Sequence, residues 1–369
     1  MRIHSTLNLN QRGAVLLAMM AVLLILVTSA FLASLSLNKQ RTQQGFTNAK
    51  VLSDAKQALM AYALVQTPAG KLPCPDFDGD GVGDYSGANC RTQRGYLPYR
   101  DLSLKEYRDA FNNLIWYAVD ANYAKTGGPK INPSLGGQLS IDSQNDIVAV
   151  LLAPGTVLVN QQRQNTDNAN RVTQYLEADN ADGNSARYSK IKDETRNDDI
   201  LAISALEFWP VMEKRVSYEV SQAIRAYYSA SGCNELPWAA TASSPGDSVL
   251  GEEWGHVPLG IAIPYAGASG CPSALTVPGW IQSHWPDMLY YGFCGPSGAG
   301  CITITGDKSG NYEAVLISAG PVLSGQARTS TNISDYLELE NADLDMQFEY
   351  RDMRNFDGDF NDVVYPFAP

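Results

Sequence analysis

The sequence predicts an α+β fold: a long N-terminal transmembrane helix followed by two related heads, each a helix packed on a small antiparallel sheet. Three observations lead there. Ala14 to Leu37 is an uncharged, apolar run of 24 residues. A helix-compatible pattern continues behind it to about Gln66. Six blocks of sequence then recur in the same order, about 165 residues apart.

The apolar run is long enough to cross a bilayer core of ~30 Å. Behind it, Leu52, Ala55, Leu59 and Tyr62 fall on one helical face, and Gly45 is the main breaker before Pro68. One continuous helix from Ala14 to about Gln66 is expected, ~80 Å long at 1.5 Å per residue. Arg2 and Arg12 precede the run, so a cleaved signal peptide and an ordinary transmembrane anchor are the competing readings.

The repeat is read block by block. Ala58–Tyr62 matches Ala223–Tyr227, and Leu72-Pro73 matches Leu236-Pro237. Leu114–Tyr117 matches Met288–Tyr291, and Val150–Leu158 matches Val315–Leu323. Tyr175–Asp182 matches Tyr336–Asp343, and Asp198–Leu201 sits opposite Asn361–Val364. Candidate strands are Asn113–Val119, Asp146–Leu152 and Ile200–Ser204, then Met288–Phe293, Tyr312–Ser318 and Asp362–Tyr365. A second helix is expected from Val211 to Ser229, with Val216, Val220, Ala223 and Tyr227 on one face. The expected units are a leader (1–13), an apolar half-helix (14–37), a first head (38–206) and a second head (207–369).

Gln11-Arg12-Gly13 directly before an apolar half-helix, with an amphipathic half behind it, resembles type IV pilins and type II secretion pseudopilins. Leu72-Pro-Cys-Pro-Asp76 resembles a segment of large pilin-type proteins. The resemblance implies cleavage between Gly13 and Ala14 by a prepilin peptidase, then transfer of the apolar half-helix from the inner membrane to a filament core. It implies periplasmic or surface heads, with other pilin or pseudopilin subunits as partners. Most family members carry Glu as the fifth mature residue, and this chain has Ala18 there. Without that carboxylate a subunit cannot pair with a neighbour's buried α-amino group. The loss is expected of a minor subunit that primes or caps a type IV pilus or type II secretion pseudopilus. The competing function is a calcium-dependent adhesin or carbohydrate-binding module on a membrane anchor.

Asp76, Asp78, Asp80 and Asp84 occupy positions 1, 3, 5 and 9 of a calcium loop, with Gly81 at position 6 and the Val82 carbonyl at position 7. Clustered carboxylates repel one another unless a cation joins them, so calcium is the expected cofactor. A solvated acidic turn is the alternative, because position 12 is Gly87 rather than Glu. A second acidic group, Glu338, Asp343, Asp357, Asp359 and Asp362, fits no loop template.

Cys74, Cys90, Cys233, Cys271, Cys294 and Cys301 form an even set without a Cys-x-x-Cys pair. Disulfides of an oxidising compartment are expected. Of 15 possible pairings, neighbour pairing is the expectation: Cys74–Cys90, Cys233–Cys271 and Cys294–Cys301. A net charge of −12 supplies no basic footprint for nucleic acid. With three histidines and no metalloprotease or nucleophile-elbow spacing, no enzyme is expected. The loop Trp238–Trp285 carries four tryptophans, which suit either ligand contact or the packing of an irregular insertion.

Overall fold

The computed structural model describes residues 10–124, 127–164, 168–182, 186–260, 270–295, 300–343, 345–352 and 358–368. Helix α1 spans Asn10–Val65. Its C-terminal part buries Leu52, Ala55, Leu59 and Ala63, one stripe at steps of three and four residues. Further forward the same helix is bare: Met19, Met20, Val22, Leu23, Leu24, Leu26 and Val27 are each between 56% and 67% exposed.

The expected transmembrane, pilin-type helix is corrected here. Among the described residues no helix is long and apolar enough to cross a membrane. The single-pass inner-membrane location, the membrane as a partner and the membrane anchor of the competing reading fall with it. The fold has mixed helix and sheet content, with several sheets.

Four antiparallel strands recur in the same order in the two main sheets, the first of six strands and the second of four. In the first, β1 (Arg94–Tyr96), β2 (Trp116–Val119), β3 (Gln144–Ala153) and β4 (Asp199–Ser204) lie side by side. In the second, β5 (Trp254–His256), β6 (Leu289–Phe293), β7 (Ala314–Ser318) and β8 (Val363–Phe367) do the same. Register makes the correspondence residue by residue. Tyr96 faces Trp116 as His256 faces Tyr290, and Leu152 faces Ile200 as Ile317 faces Val364. The last repeat block therefore aligns Asn197-Asp198 with Asn361-Asp362, one residue away from the match made on sequence alone.

Helix α2 (Ala205–Tyr228) begins six residues before the expected Val211. Ser204 caps it, its hydroxyl accepting from the Glu207 N–H, in a Ser-x-x-Glu arrangement that Pro210 obscures in the sequence. This helix serves both heads. Phe208 packs edge to face with Trp209 and with Tyr123 of the first head, Trp209 lies tilted against Tyr123, and Trp209 meets Trp285 of the second. Arg215 donates to the carbonyls of Leu64 and Gln66, placing a cation at the C-terminal end of α1. Ile131 donates its N–H to His284 Nδ1 at 3.0 Å, and Asn132 donates to the His284 carbonyl at 2.6 Å. A single apolar core runs through both heads, with a smaller one under the first sheet's outer face. Disulfides join Cys74–Cys90, Cys233–Cys271 and Cys294–Cys301.

The helix-facing layers of the two heads differ in polarity at four matched positions. In the first head Asn48 accepts from Ala110 N–H and donates to Asp199, both at 2.7 Å. In the second its counterpart is Glu213, and Val363 stands where Asp199 does. Leu52 becomes Ser217, and Ala153 becomes Ser318. Glu213, Ser217 and Ser318 are fully buried, and none of their side-chain oxygens has a hydrogen-bond partner. Burial holds the Glu213 carboxyl well above the usual carboxylate range.

An orphaned buried carboxyl costs more than an apolar group of its size. Glu213→Met is therefore expected to raise stability by ~1–3 kcal/mol. A denaturant midpoint that is unchanged or lower would show that the carboxyl is partnered.

Candidate functional sites

Cys74 and Cys90 close a loop that Asp76 organises from inside. Asp76 is fully buried; its two oxygens accept from Gly79 N–H and Gly81 N–H, each at 2.7 Å. Asp84 accepts from Phe77 N–H at 2.7 Å, and Asp80 accepts from Val82 N–H at 2.8 Å. Gly81 has φ +90°, and a Cβ there meets the Tyr99 ring at 2.4 Å, so only glycine fits. Asp76, Asp78 and Asp84 each bring an oxygen within 4.8 Å of the others. Asp80 stays outside that group. Burial, opposed by the two glycine N–H groups and reinforced by the charges of Asp80 and Asp78, pushes Asp76 up to about 6.

The donor set suits a hard divalent cation. Three carboxylates converge, and the Val82 residue in position 7 is on the exposed rim. Gly87 at position 12 has no side chain to offer, so the remaining ligands would be water. No other group of three or more acidic, histidine or cysteine side chains converges this closely among the described residues.

The second acidic group does not assemble. Asp343 and Asp359 are exposed, and Asp357 lies outside the described residues. Glu338 and Asp362 do come together, in a buried network that the first head repeats. Glu177 accepts from Gln161 Nε2 at 2.6 Å and from Asn197 N–H at 3.0 Å. Glu338 accepts from Gln326 Nε2 at 2.7 Å and from Asn361 N–H at 3.1 Å. Asp198 accepts from Glu177 N–H and Asn180, and Asp362 accepts from Glu338 N–H and Asn341. An arginine lies over a tyrosine ring in each: Arg163 on Tyr175, Arg328 on Tyr336. The sequence reading missed Gln161, Arg163 and their partners. The signal was present, since both residues recur at the same offset of 165 as Gln326 and Arg328.

Gly13 and Ala14 fall within the first turns of α1, and residues 1–9 lie outside the described residues. His256 is buried and lowered to about 4 by desolvation, so it is neutral at pH 7. Trp285 is fully buried, Trp254 is nearly so, Trp238 packs on Phe293, and Trp280 lies under Arg215. The tryptophans of that loop are packing residues.

No family model matches the chain, and no curated protein and no solved structure matches it. The likeness to pilins therefore rests on the sequence features alone.

The paired carboxyls give a pH dependence with a definite sign. Burial first, and then the neighbouring glutamate charge, raises Asp198 and Asp362 above their ordinary range. The folded state then holds protons that the unfolded state releases above about pH 4, so stability falls as pH rises through the raised values. His256 acts oppositely, but only below about pH 6.5. Between pH 7 and 9 the melting temperature is expected to fall on alkalisation, and Asp198→Asn is expected to flatten the slope. A flat wild-type profile over that range contradicts shared protons in these pairs.

Proposed function

We propose that the chain is a non-catalytic structural subunit that joins an assembly of similar subunits through the apolar forward part of α1, the part a minor pilin or pseudopilin plays in priming or capping. The observation that carries this reading is the exposed run Met19–Val27. Its apolar residues project all round the helix, and such a helix is stable in water only when covered on several sides. A separate groove of about 900 Å³ lies beside the C-terminal part of α1, lined by Leu52, Met60, Leu201, Leu206 and Val211 together with Lys56 and Glu207. A helix from a like subunit is the occupant that both features suit, because an apolar helix and an apolar groove bury each other.

The rest of the chain fits a scaffold. The described histidines are engaged in packing or backbone contacts, and three disulfides brace the heads. In the same reading, Asp76, Asp78 and Asp84 hold calcium, which relieves their mutual repulsion and stiffens the loop at the base of the first sheet.

A photo-crosslinker placed at Leu24 in the native host is expected to capture other helical subunits, while one at exposed Val159 is not. Equal labelling at both positions, or none at Leu24, overturns the assembly reading. Calcium is expected to stabilise by about 2.7 kcal/mol at a hundred-fold excess over Kd, and Asp78→Ala is expected to abolish the shift. Identical melting in calcium and chelator returns the loop to a solvated turn.

A further inference from the structure

Residues 130–134 of the first head form a strap that is tied to residues 284–288 of the second. Lys130 pairs with Asp287, and the Ile131 N–H donates to His284 Nδ1 at 3.0 Å. Asn132 Nδ2 donates to the His284 carbonyl at 2.6 Å, and the Ser134 hydroxyl reaches Met288 Sδ at 3.0 Å. Ile131 is fully buried and, with Trp209 of α2, closes over Gly70. The strap therefore covers the core where the two heads meet.

One of these ties depends on a protonation state. A backbone N–H can only donate, so Nδ1 is the unprotonated nitrogen and neutral His284 carries its proton on Nε2. A second proton goes to Nδ1, where it sets a donor against a donor. The charged groups around the ring oppose it as well. Lys71, on the connection that follows α1, and Lys130, on the strap, both repel a cation there, while Asp287 on the histidine's own segment is held by Lys130. Partial burial first, and then these two lysines, lower His284 below the ordinary histidine value. The helix Gly279–His284 ends at the ring and favours charge there, but with six residues its dipole is weak beside a donor–donor contact.

We propose that this contact is a pH-sensitive latch: neutral His284 holds the strap of residues 130–134 against the second head, and protonation releases it. Closed, the latch excludes a proton that the open state takes up with ordinary affinity. Its stability is complete above about pH 6.5 and is lost as pH falls through the lowered value of His284. Release uncovers Ile131 and the Trp209–Trp285 contact without parting the heads, which α2 and Arg215 still join. His256 lies elsewhere, stacked on Tyr290 in the second sheet.

Hydrogen exchange of the full, disulfide-intact chain, read by mass spectrometry at about pH 7.5 and about pH 5 and corrected for intrinsic rates, tests this. Peptides covering residues 127–135 are expected to lose protection several-fold in acid, while Gln144–Ala153 stays protected. His284→Asn, which offers a neutral acceptor in place of Nδ1, is expected to keep the strap protected at both pH values. Should that variant fail to fold, Lys130→Gln at the exposed end of the strap removes a repelling cation and is expected to move the loss to higher pH. Strap protection that ignores pH in the wild type, that falls equally in His284→Asn, or that is lost at lower pH in Lys130→Gln overturns the proposal.

Discussion

The structure depends on α2 being buried from two sides at once. A helix between two sheets cannot be amphipathic in the ordinary sense, because each flank needs its own apolar residues. Phe208, Trp209, Met212, Val216, Val220 and Ile224 are all buried, and they include the largest side chains of the helix. Trp209 alone reaches the Leu135 carbonyl of the first head and the Trp285 ring of the second. Arg215, six residues past Trp209, then fixes the end of α1. The two heads are therefore not beads on a linker. Loosening α2 exposes apolar surface on both sheets together, which is a strong source of cooperativity.

Duplication explains what the heads share, and divergence explains what each does. The glutamine–glutamate–aspartate–asparagine network is kept in both copies with nearly the same distances, because a half-satisfied buried network is worse than an apolar core. Elsewhere the copies have drifted. The first carries the acidic loop and a filled aromatic cluster. The second has no such loop, has His256, Tyr290 and Tyr336 as its buried rings, and carries Glu213, Ser217 and Ser318 where Asn48, Leu52 and Ala153 stand. Such unpaired polar groups are tolerated only if the surroundings supply enough stability, and the shared core is the source here.

Much of this architecture was legible in the sequence. Period-two patterns gave three strands of each main sheet, with ends displaced by a few residues, but not the edge strands Arg94–Tyr96 and Trp254–His256; period-3.6 patterns gave the packed parts of both helices. The start of α2 was hidden because Pro210 reads as a boundary, whereas the Ser204–Glu207 cap had already begun the helix. Spacing in the acidic loop named Asp76, Asp78, Asp80 and Asp84; all but Asp80 bring oxygens together, since a turn of fixed geometry maps sequence onto space. The C-terminal carboxylates were different. Only Glu338 and Asp362 meet, across 24 residues, through strand order that no local spacing encodes. The transmembrane reading was overturned because no helix among the described residues is long and apolar enough to cross a membrane.

Scanning calorimetry of the disulfide-intact protein tests the central claim, that α2 makes both heads one folding unit. The account predicts a single transition whose calorimetric and van't Hoff enthalpies agree. Two resolved transitions, with one head retaining its near-ultraviolet signal after the other has melted, would contradict it.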